Sequence, residues 1–136
     1  MKKIILSINL LLALALALAP ACSAQAAAGT PAANTPAIVE MSADLGPCSV
    51  LFTVNGKDGH PLYNAKITTR LKYGVGGLKR LDLEAFTNAN GQVKFIHLPS
   101  SPKHPIYFYV GKDESLEIIE FAPDVRCQDE KTVVLK

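Results

Sequence analysis

Residues 64–72 alternate between apolar and polar side chains, a pattern that a helix does not produce. One face carries Ala65, Ile67, Thr69 and Leu71, and the other carries Lys66, Thr68, Arg70 and Lys72. Successive side chains of a β-strand point to opposite sides of the sheet. The alternation therefore predicts a strand with one side in a core and the other in solvent.

Strand signals recur along the chain at spacings near ten residues, with Gly-, Asn- and Pro-rich turn segments between them. The other predicted strands are residues 48–54, 78–86, 92–98, 106–110, 116–121 and 132–135. No segment has a convincing helical period. These seven strands predict an all-β fold, a seven-stranded antiparallel β-sandwich of immunoglobulin-like or transthyretin-like type.

The beginning of the 136-residue chain has the pattern of a secretory signal peptide over residues 1–26. Lys2 and Lys3 precede an uncharged apolar run, and small residues lead to a cleavage site after Ala26. An uncleaved N-terminal anchor is the alternative. Residues 27–46 then form a predicted disordered linker rich in Ala, Pro and Thr, and residues 47–136 the predicted sandwich. The predicted location is the periplasm or the outside of the cell.

Cys22 lies just after the apolar run, where a bacterial lipoprotein carries its lipidated cysteine. The preceding residues, Ala19, Pro20 and Ala21, fit the usual recruitment box weakly. Lipidation at Cys22 is therefore the alternative to soluble export, and contact with a membrane is expected only in that case.

Cys48 and Cys127 are the two cysteines that remain after cleavage at Ala26. An even pair in an exported chain predicts a disulfide, and two free thiols are the alternative. The bond would close most of the domain. Without a CxxC motif or patterned histidines, neither a redox role nor a zinc site is indicated.

Charge is balanced in total but uneven along the chain. Removing residues 1–26 leaves twelve basic and twelve acidic residues, which excludes a strongly basic nucleic-acid-binding protein. Residues 56–112 carry nine basic and three acidic side chains, whereas residues 113–130 carry seven acidic and one basic. Lys66, Arg70 and Lys72 therefore form a candidate surface for an anionic partner. The simpler interpretation is that the two regions pair across neighbouring strands.

Tyr107 and Tyr109 are two residues apart in an aromatic strand, so they share the face opposite Phe108. An exposed tyrosine pair can stack on a sugar or a peptide. Packing of the two rings against a neighbouring loop is the alternative.

No catalytic or metal site is indicated. His60, His97 and His104 lack the spacing of metal ligands, although a loop could bring His97 and His104 into a weak site. Asp82 and Glu84 are read as a solvated strand face, and no strained serine motif is present. We therefore expect no cofactor, no metal and no enzymatic activity.

Two segments resemble the carboxypeptidase regulatory-like domains. Residues 59–65 read G-x-P-L-x-x-A, and residues 87–99 read T-N-x-x-G-x-x-x-F-x-x-L-P, with Asn88 where the family has Asp. The resemblance covers residues 48–136 and implies a transthyretin-like sandwich. It gives structural roles to the motif: turns for Gly59 and Gly91, strand entry for Pro61 and Ala65, and core for Phe95 and Leu98.

Domains of that family are mostly accessory modules, so the resemblance also favours binding over catalysis. The leading hypothesis is an exported, non-enzymatic module that binds a protein or a cell-envelope component. A carbohydrate-binding module that uses Tyr107 and Tyr109 is the second hypothesis, and a small periplasmic hydrolase is the third.

Overall fold

The computed structural model of the chain describes residues 35–136. Its strands are β1 Val39–Ser42, β2 Cys48–Gly56, β3 Lys66–Tyr73, β4 Lys79–Phe86, β5 Gln92–Leu98, β6 Ile106–Lys112, β7 Ser115–Phe121 and β8 Gln128–Leu135. Within these residues the one helical segment is a single 3-10 turn, Val75–Gly77, and no helix is long and apolar enough to cross a membrane. The all-β class is confirmed. The predicted signal peptide, Cys22 and residues 27–34 lie outside the described range.

The strands form two four-stranded sheets, in the orders β1-β5-β2-β8 and β4-β3-β6-β7. The sandwich is confirmed, but it has eight strands rather than the predicted seven. It is also not purely antiparallel, because β1 pairs with β5 and β2 with β8 in parallel. Each parallel pair joins strands that are distant in sequence, so no tight turn imposes an antiparallel arrangement on them.

The additional strand is β1, which corrects the prediction of a disordered linker up to residue 46. Val39–Ser42 runs beside β5, from Val39 opposite Val93 to Ser42 opposite Ile96. Four residues are too few to show a clear period, and the pairing partner lies more than fifty positions away. The ordered domain therefore begins before β2.

Asn88 holds the segment before β1 in place through both atoms of its side-chain amide. Its Oδ1 accepts hydrogen bonds from the backbone N–H groups of Asn90 and Gln92, at 3.0 and 2.9 Å. Its Nδ2 donates to the carbonyl oxygens of Ala37 and Pro36, at 3.1 and 3.4 Å. A carboxylate can accept the first two bonds but cannot donate the second two.

We therefore expect Asn88→Asp to lower the free energy of unfolding by about 1–2 kcal/mol, since the carbonyl oxygens of Ala37 and Pro36 lose their donor and face a negative charge. Urea denaturation measures the loss, and hydrogen exchange should speed up at the amides of β1. Asn90→Asp is the control, because Asn90 contributes its backbone N–H to this network. Equal losses in the two variants would contradict this role for Asn88.

The alternation in the sequence places the core as predicted. On β3 the side chains of Ile67 and Leu71 are buried, and Lys66 and Arg70 are exposed. Phe52, Phe95 and Phe108 come from both sheets and meet at ring-centroid distances of 4.8 to 6.0 Å. The two sheets are thus held face to face by aromatic packing.

The disulfide between Cys48 and Cys127 is confirmed, with the two Cα atoms 4.6 Å apart. Cys48 begins β2, and Cys127 directly precedes β8, the parallel neighbour of β2. The backbone N–H of Ser49 also donates to the carbonyl oxygen of Cys127, at 2.8 Å. The covalent link therefore fixes the start of an existing strand pair within one sheet.

Candidate binding face

The outward side of the sheet β4-β3-β6-β7, here called the outer face, brings together all five side chains of the predicted binding surface. The members from β3 and β6 are Lys66, Thr68, Arg70, Lys72, Tyr107 and Tyr109, and those from β4 and β7 are Arg80, Asp82, Glu84, Phe86, Leu116, Ile118 and Glu120. They share one side because each strand alternates and the ladders keep their registers in phase.

The half of the outer face on β3 and β4 is charged, and two of its four basic side chains are paired with carboxylates. Lys66 Nζ lies 2.8 Å from Glu84 Oε2, and Arg70 Nε lies 2.6 Å from Asp82 Oδ1. The hydrogen bond from Arg70 lowers the pKa of Asp82, and the same bond raises the pKa of Arg70. Exposed pairs of this kind add little stability, but they leave Lys66 and Arg70 less available to an anionic partner.

The predicted pairing between the basic and acidic regions is wrong for the described residues. Among residues 35–136, no ion pair joins the segment 56–112 to the segment 113–130. The acidic strand β7 is separated from β3 by β6. Asp129 instead binds Lys131 and Arg126, at 2.8 and 3.2 Å, and its pKa is lowered chiefly by the hydrogen bond from Lys131.

The half of the outer face on β6 and β7 is apolar and aromatic. Tyr107 and Tyr109 are exposed to 44% and 42%, so they do not pack under a loop. Sequence reasoning missed their neighbours on β7, Leu116 and Ile118, which are 62% and 57% exposed. The available signal was the run LEIIEF, in which apolar residues occupy both faces of a strand. Ile118 lies directly opposite Tyr109, so these residues form one continuous patch.

Gly111 opens a groove in this patch. It stands between Lys66 on β3 and Leu116 on β7, and it contributes no side chain to that row. The groove is bounded by Tyr109 on one side and by the β6–β7 turn, at Asp113, on the other. A strand-like ligand can therefore approach the backbone of the sheet here more closely than elsewhere on the outer face.

A second cluster joins Ser42, Asp44 and His97 on the other sheet. Ser42 Oγ donates to Asp44 Oδ1 at 2.5 Å and lies 2.9 Å from His97 Nδ1. The cluster therefore fastens the segment after β1 to the end of β5.

The sequence left open a weak metal site at His97 and His104. No group of three or more His, Cys, Asp or Glu side chains is placed to hold a metal ion within residues 35–136. His97 is turned towards Ser42 and Asp44, as described above, with a positive φ of 54°. His60 donates its backbone N–H to Asp58 in the β2–β3 turn.

This chain was compared with family models, curated proteins and solved structures, and only solved structures match it. No family model matches the chain, and no curated protein matches it. Catechol 1,2-dioxygenase from Acinetobacter sp. ADP1, inhibited by bound mercury, matches with 15% identity and a TM-score of 0.43, over 74% of this chain and 59% of that chain. The dioxygenase domain of a dioxygenase carbohydrate-binding protein fusion from Streptomyces sp. SirexAA-E matches with 14% identity and a TM-score of 0.41, over 74% and 90%. The 3-chlorocatechol 1,2-dioxygenase of Rhodococcus opacus matches with 12% identity and a TM-score of 0.41, over 71% and 63%.

These findings correct the expectation that the chain is not an enzyme. The solved structures that it resembles are enzymes, and one fold carries many functions, so a likeness to accessory modules does not exclude catalysis. The chain spans less than two thirds of the Acinetobacter and Rhodococcus proteins. At this identity and TM-score, no activity or substrate carries over to this chain.

Proposed function

We propose that this chain is an exported β-sandwich module that binds a protein partner, and that the partner is an extended segment adding to the free edge of β7. The observation that carries the proposal is the exposure of Leu116 and Ile118 on a strand that, among residues 35–136, pairs with a neighbour on one side only. Free edges are templates for strand addition, and proteins normally guard them.

A transthyretin-like sandwich of the carboxypeptidase regulatory-like type is the finer fold that we propose. The immunoglobulin constant-type sandwich divides four strands from three and links its two sheets by a disulfide beside a buried Trp. This chain has four strands in each sheet, a disulfide within one sheet and no Trp. The motif residues also behave as the resemblance implies, since Gly59 and Gly91 have positive φ and Phe95 and Leu98 are buried.

Charge selects among the strands that can add to β7. Residues 113–125, which include β7, contain five acidic residues and no basic residue. Glu117 and Glu120 on β7 therefore disfavour pairing between two copies of this acidic edge and favour a segment with basic side chains. The partner that fits is an extended peptide in which apolar and basic residues alternate.

Export to the periplasm or the cell exterior is part of the proposal. The disulfide supports it, because such bonds persist in oxidising compartments and are rare in the cytosol. Lipidation at Cys22 would place the same module at a membrane surface without changing its binding edge.

The test uses a short labelled peptide of alternating Val and Lys, with an alternating Val and Glu peptide of equal length as its match. We expect the lysine peptide to bind and to protect the amides of β7 from hydrogen exchange. Replacing Leu116 and Ile118 together by Ser should weaken binding at least tenfold, because their apolar burial is lost.

Val134→Ser is the control variant, since Val134 is also half exposed but lies on β8, at an edge of the other sheet. It should leave the affinity of the peptide unchanged. Equal binding of the two peptides, or protection of β8 or β4 in place of β7, would overturn the proposed mode.

Carbohydrate binding is the second candidate, favoured by the spacing of the exposed tyrosines. Tyr107 and Tyr109 stand on one face about 7 Å apart along β6, a distance suited to neighbouring sugar rings. In that case the chain is retained on a polysaccharide column. Retention is lost when both tyrosines become Ala and survives the double change at Leu116 and Ile118.

A further inference from the structure

The turn between β3 and β4 exposes two large apolar side chains almost completely. Val75 is 92% and Leu78 85% exposed. A scattered exposed apolar residue is ordinary on a protein surface, but these two lie three positions apart in one short turn. They are separate from the apolar patch of the outer face, because they cap the end of the sheet.

The turn extends beyond the rest of its sheet. The ladder between β3 and β6 ends at Thr69 opposite Phe108, whereas the ladder between β3 and β4 continues to Tyr73 opposite Lys79. The last four residues of β3 therefore form a two-stranded ribbon with β4, about 13 Å long. We call residues 72–80 the ribbon tip.

Glycines set the backbone of the ribbon tip. Gly74, Gly76 and Gly77 have φ values of 77°, 68° and 70°, a region that other residues rarely adopt. Within the turn, the backbone N–H of Gly77 donates to the carbonyl oxygen of Gly74 and that of Leu78 to Val75, at 3.1 and 3.4 Å. This tight turn leaves no neighbouring surface on which Val75 and Leu78 can pack.

The charged side chains in the sequence of the ribbon tip are all basic, and the nearest carboxylate along β4 is Asp82, which interacts with Arg80. Residues 71–81 include Lys72, Lys79 and Arg80 and contain no acidic residue. Lys72 is directly opposite Arg80 in the ladder, and like charges in that position repel. Lys79 Nζ lies 5.9 Å from the centroid of the Tyr73 ring, so its charge stays at the base of the tip. An anionic surface would relieve this repulsion.

We propose that the ribbon tip inserts into the surface of a membrane that bears anionic phospholipids. Val75 and Leu78 would enter the boundary between headgroups and acyl chains, and Lys72, Lys79 and Arg80 would contact the phosphates. This surface is separate from the proposed protein-binding edge on β7. It also needs no lipid at Cys22, which departs from the expectation that membrane contact depends on lipidation.

The absence of Trp allows a direct test on the full exported chain. Leu78→Trp places a single tryptophan at the ribbon tip, and it can be excited selectively over the tyrosines. On addition of vesicles of phosphatidylglycerol and phosphatidylethanolamine, its emission should shift to shorter wavelength and become protected from acrylamide. Neutral phosphatidylcholine vesicles should produce no shift.

Val134→Trp is the matched control, with the single tryptophan at a half-exposed position on β8. Its emission should not change, even if the N-terminus anchors the chain, because the reporter senses only its own surroundings. Replacing Lys72, Lys79 and Arg80 by Gln in the Leu78→Trp chain should weaken vesicle binding through the tip about a hundredfold.

Three results would overturn the proposal. They are an unchanged Leu78→Trp spectrum with anionic vesicles, an equal shift for Val134→Trp, and an equal shift of Leu78→Trp with soluble polyphosphate, which would indicate a polyanion site. None of these results would contradict the proposed peptide binding at β7, because the peptide test depends on Leu116 and Ile118 and not on the ribbon tip.

Discussion

Replacing both Cys48 and Cys127 by Ala is expected to lower the free energy of unfolding by about 4 kcal/mol. The bond closes a loop with a sequence separation of 79, and a cross-link of that span removes much of the freedom of the unfolded chain. For a domain of about 100 residues, such a loss corresponds to a fall in Tm of roughly 15–30 °C.

Thermal unfolding of the native chain with and without reductant separates the stability contributed by the cross-link from the stability contributed by packing of the sulfur atoms. Cys48 is fully buried, so its change to Ala also removes contacts of the sulfur atom. Reduction keeps both sulfur atoms and breaks only the bond. We expect reduction to account for most of the loss seen in the double variant, and an unchanged Tm on reduction would show that the bond does not stabilise the fold.

Gly91→Ala is expected to destabilise the domain by about 3 kcal/mol, through backbone strain and a steric clash together. Gly91 has a φ of 71°, and a Cβ there would lie 2.4 Å from the carbonyl oxygen of Val54. That oxygen belongs to the backbone of β2, so it cannot move aside as a side chain does. The backbone of Gly91 is itself held there, since its carbonyl accepts from Val54 N–H at 2.7 Å.

Gly59→Ala is the matched control for this effect. Gly59 has a similar φ of 81°, but a Cβ there meets no atom within 4 Å. It should cost only the strain of positive φ, about 1 kcal/mol. Urea denaturation measures the loss of unfolding free energy in each variant. The difference between the two losses is the cost of the steric clash at Gly91. Equal losses would mean that the strand accommodates the added methyl group.

The sequence was most informative where a pattern is local. The alternation around Ile67 and Leu71 predicted both a strand and its buried side, because period two follows from strand geometry. The disulfide could also be predicted, since only two cysteines follow the expected cleavage site. Turn glycines such as Gly59 were recognisable for the same local reason.

Features that depend on distant pairing could not be predicted in this way. Strand β1 is ordered by β5, and the hydrogen bond between Ser42 and His97 joins residues 55 positions apart. The exposure of Ile118 depends on which side of β7 faces the core, and the run LEIIEF, apolar on both sides, does not decide this. The candidate site was therefore predicted on β3 and β6 and missed on β7.

The parallel pairing of β2 with β8 has a consequence for the order in which the chain can fold. Strand β2 lies inside its sheet, yet one of its two neighbours follows every other strand along the chain. During vectorial synthesis or export, β2 therefore keeps an open side until β8 emerges. Pairings between such distant strands form slowly, so closure of this sheet and oxidation of the two thiols belong to the last stage of folding.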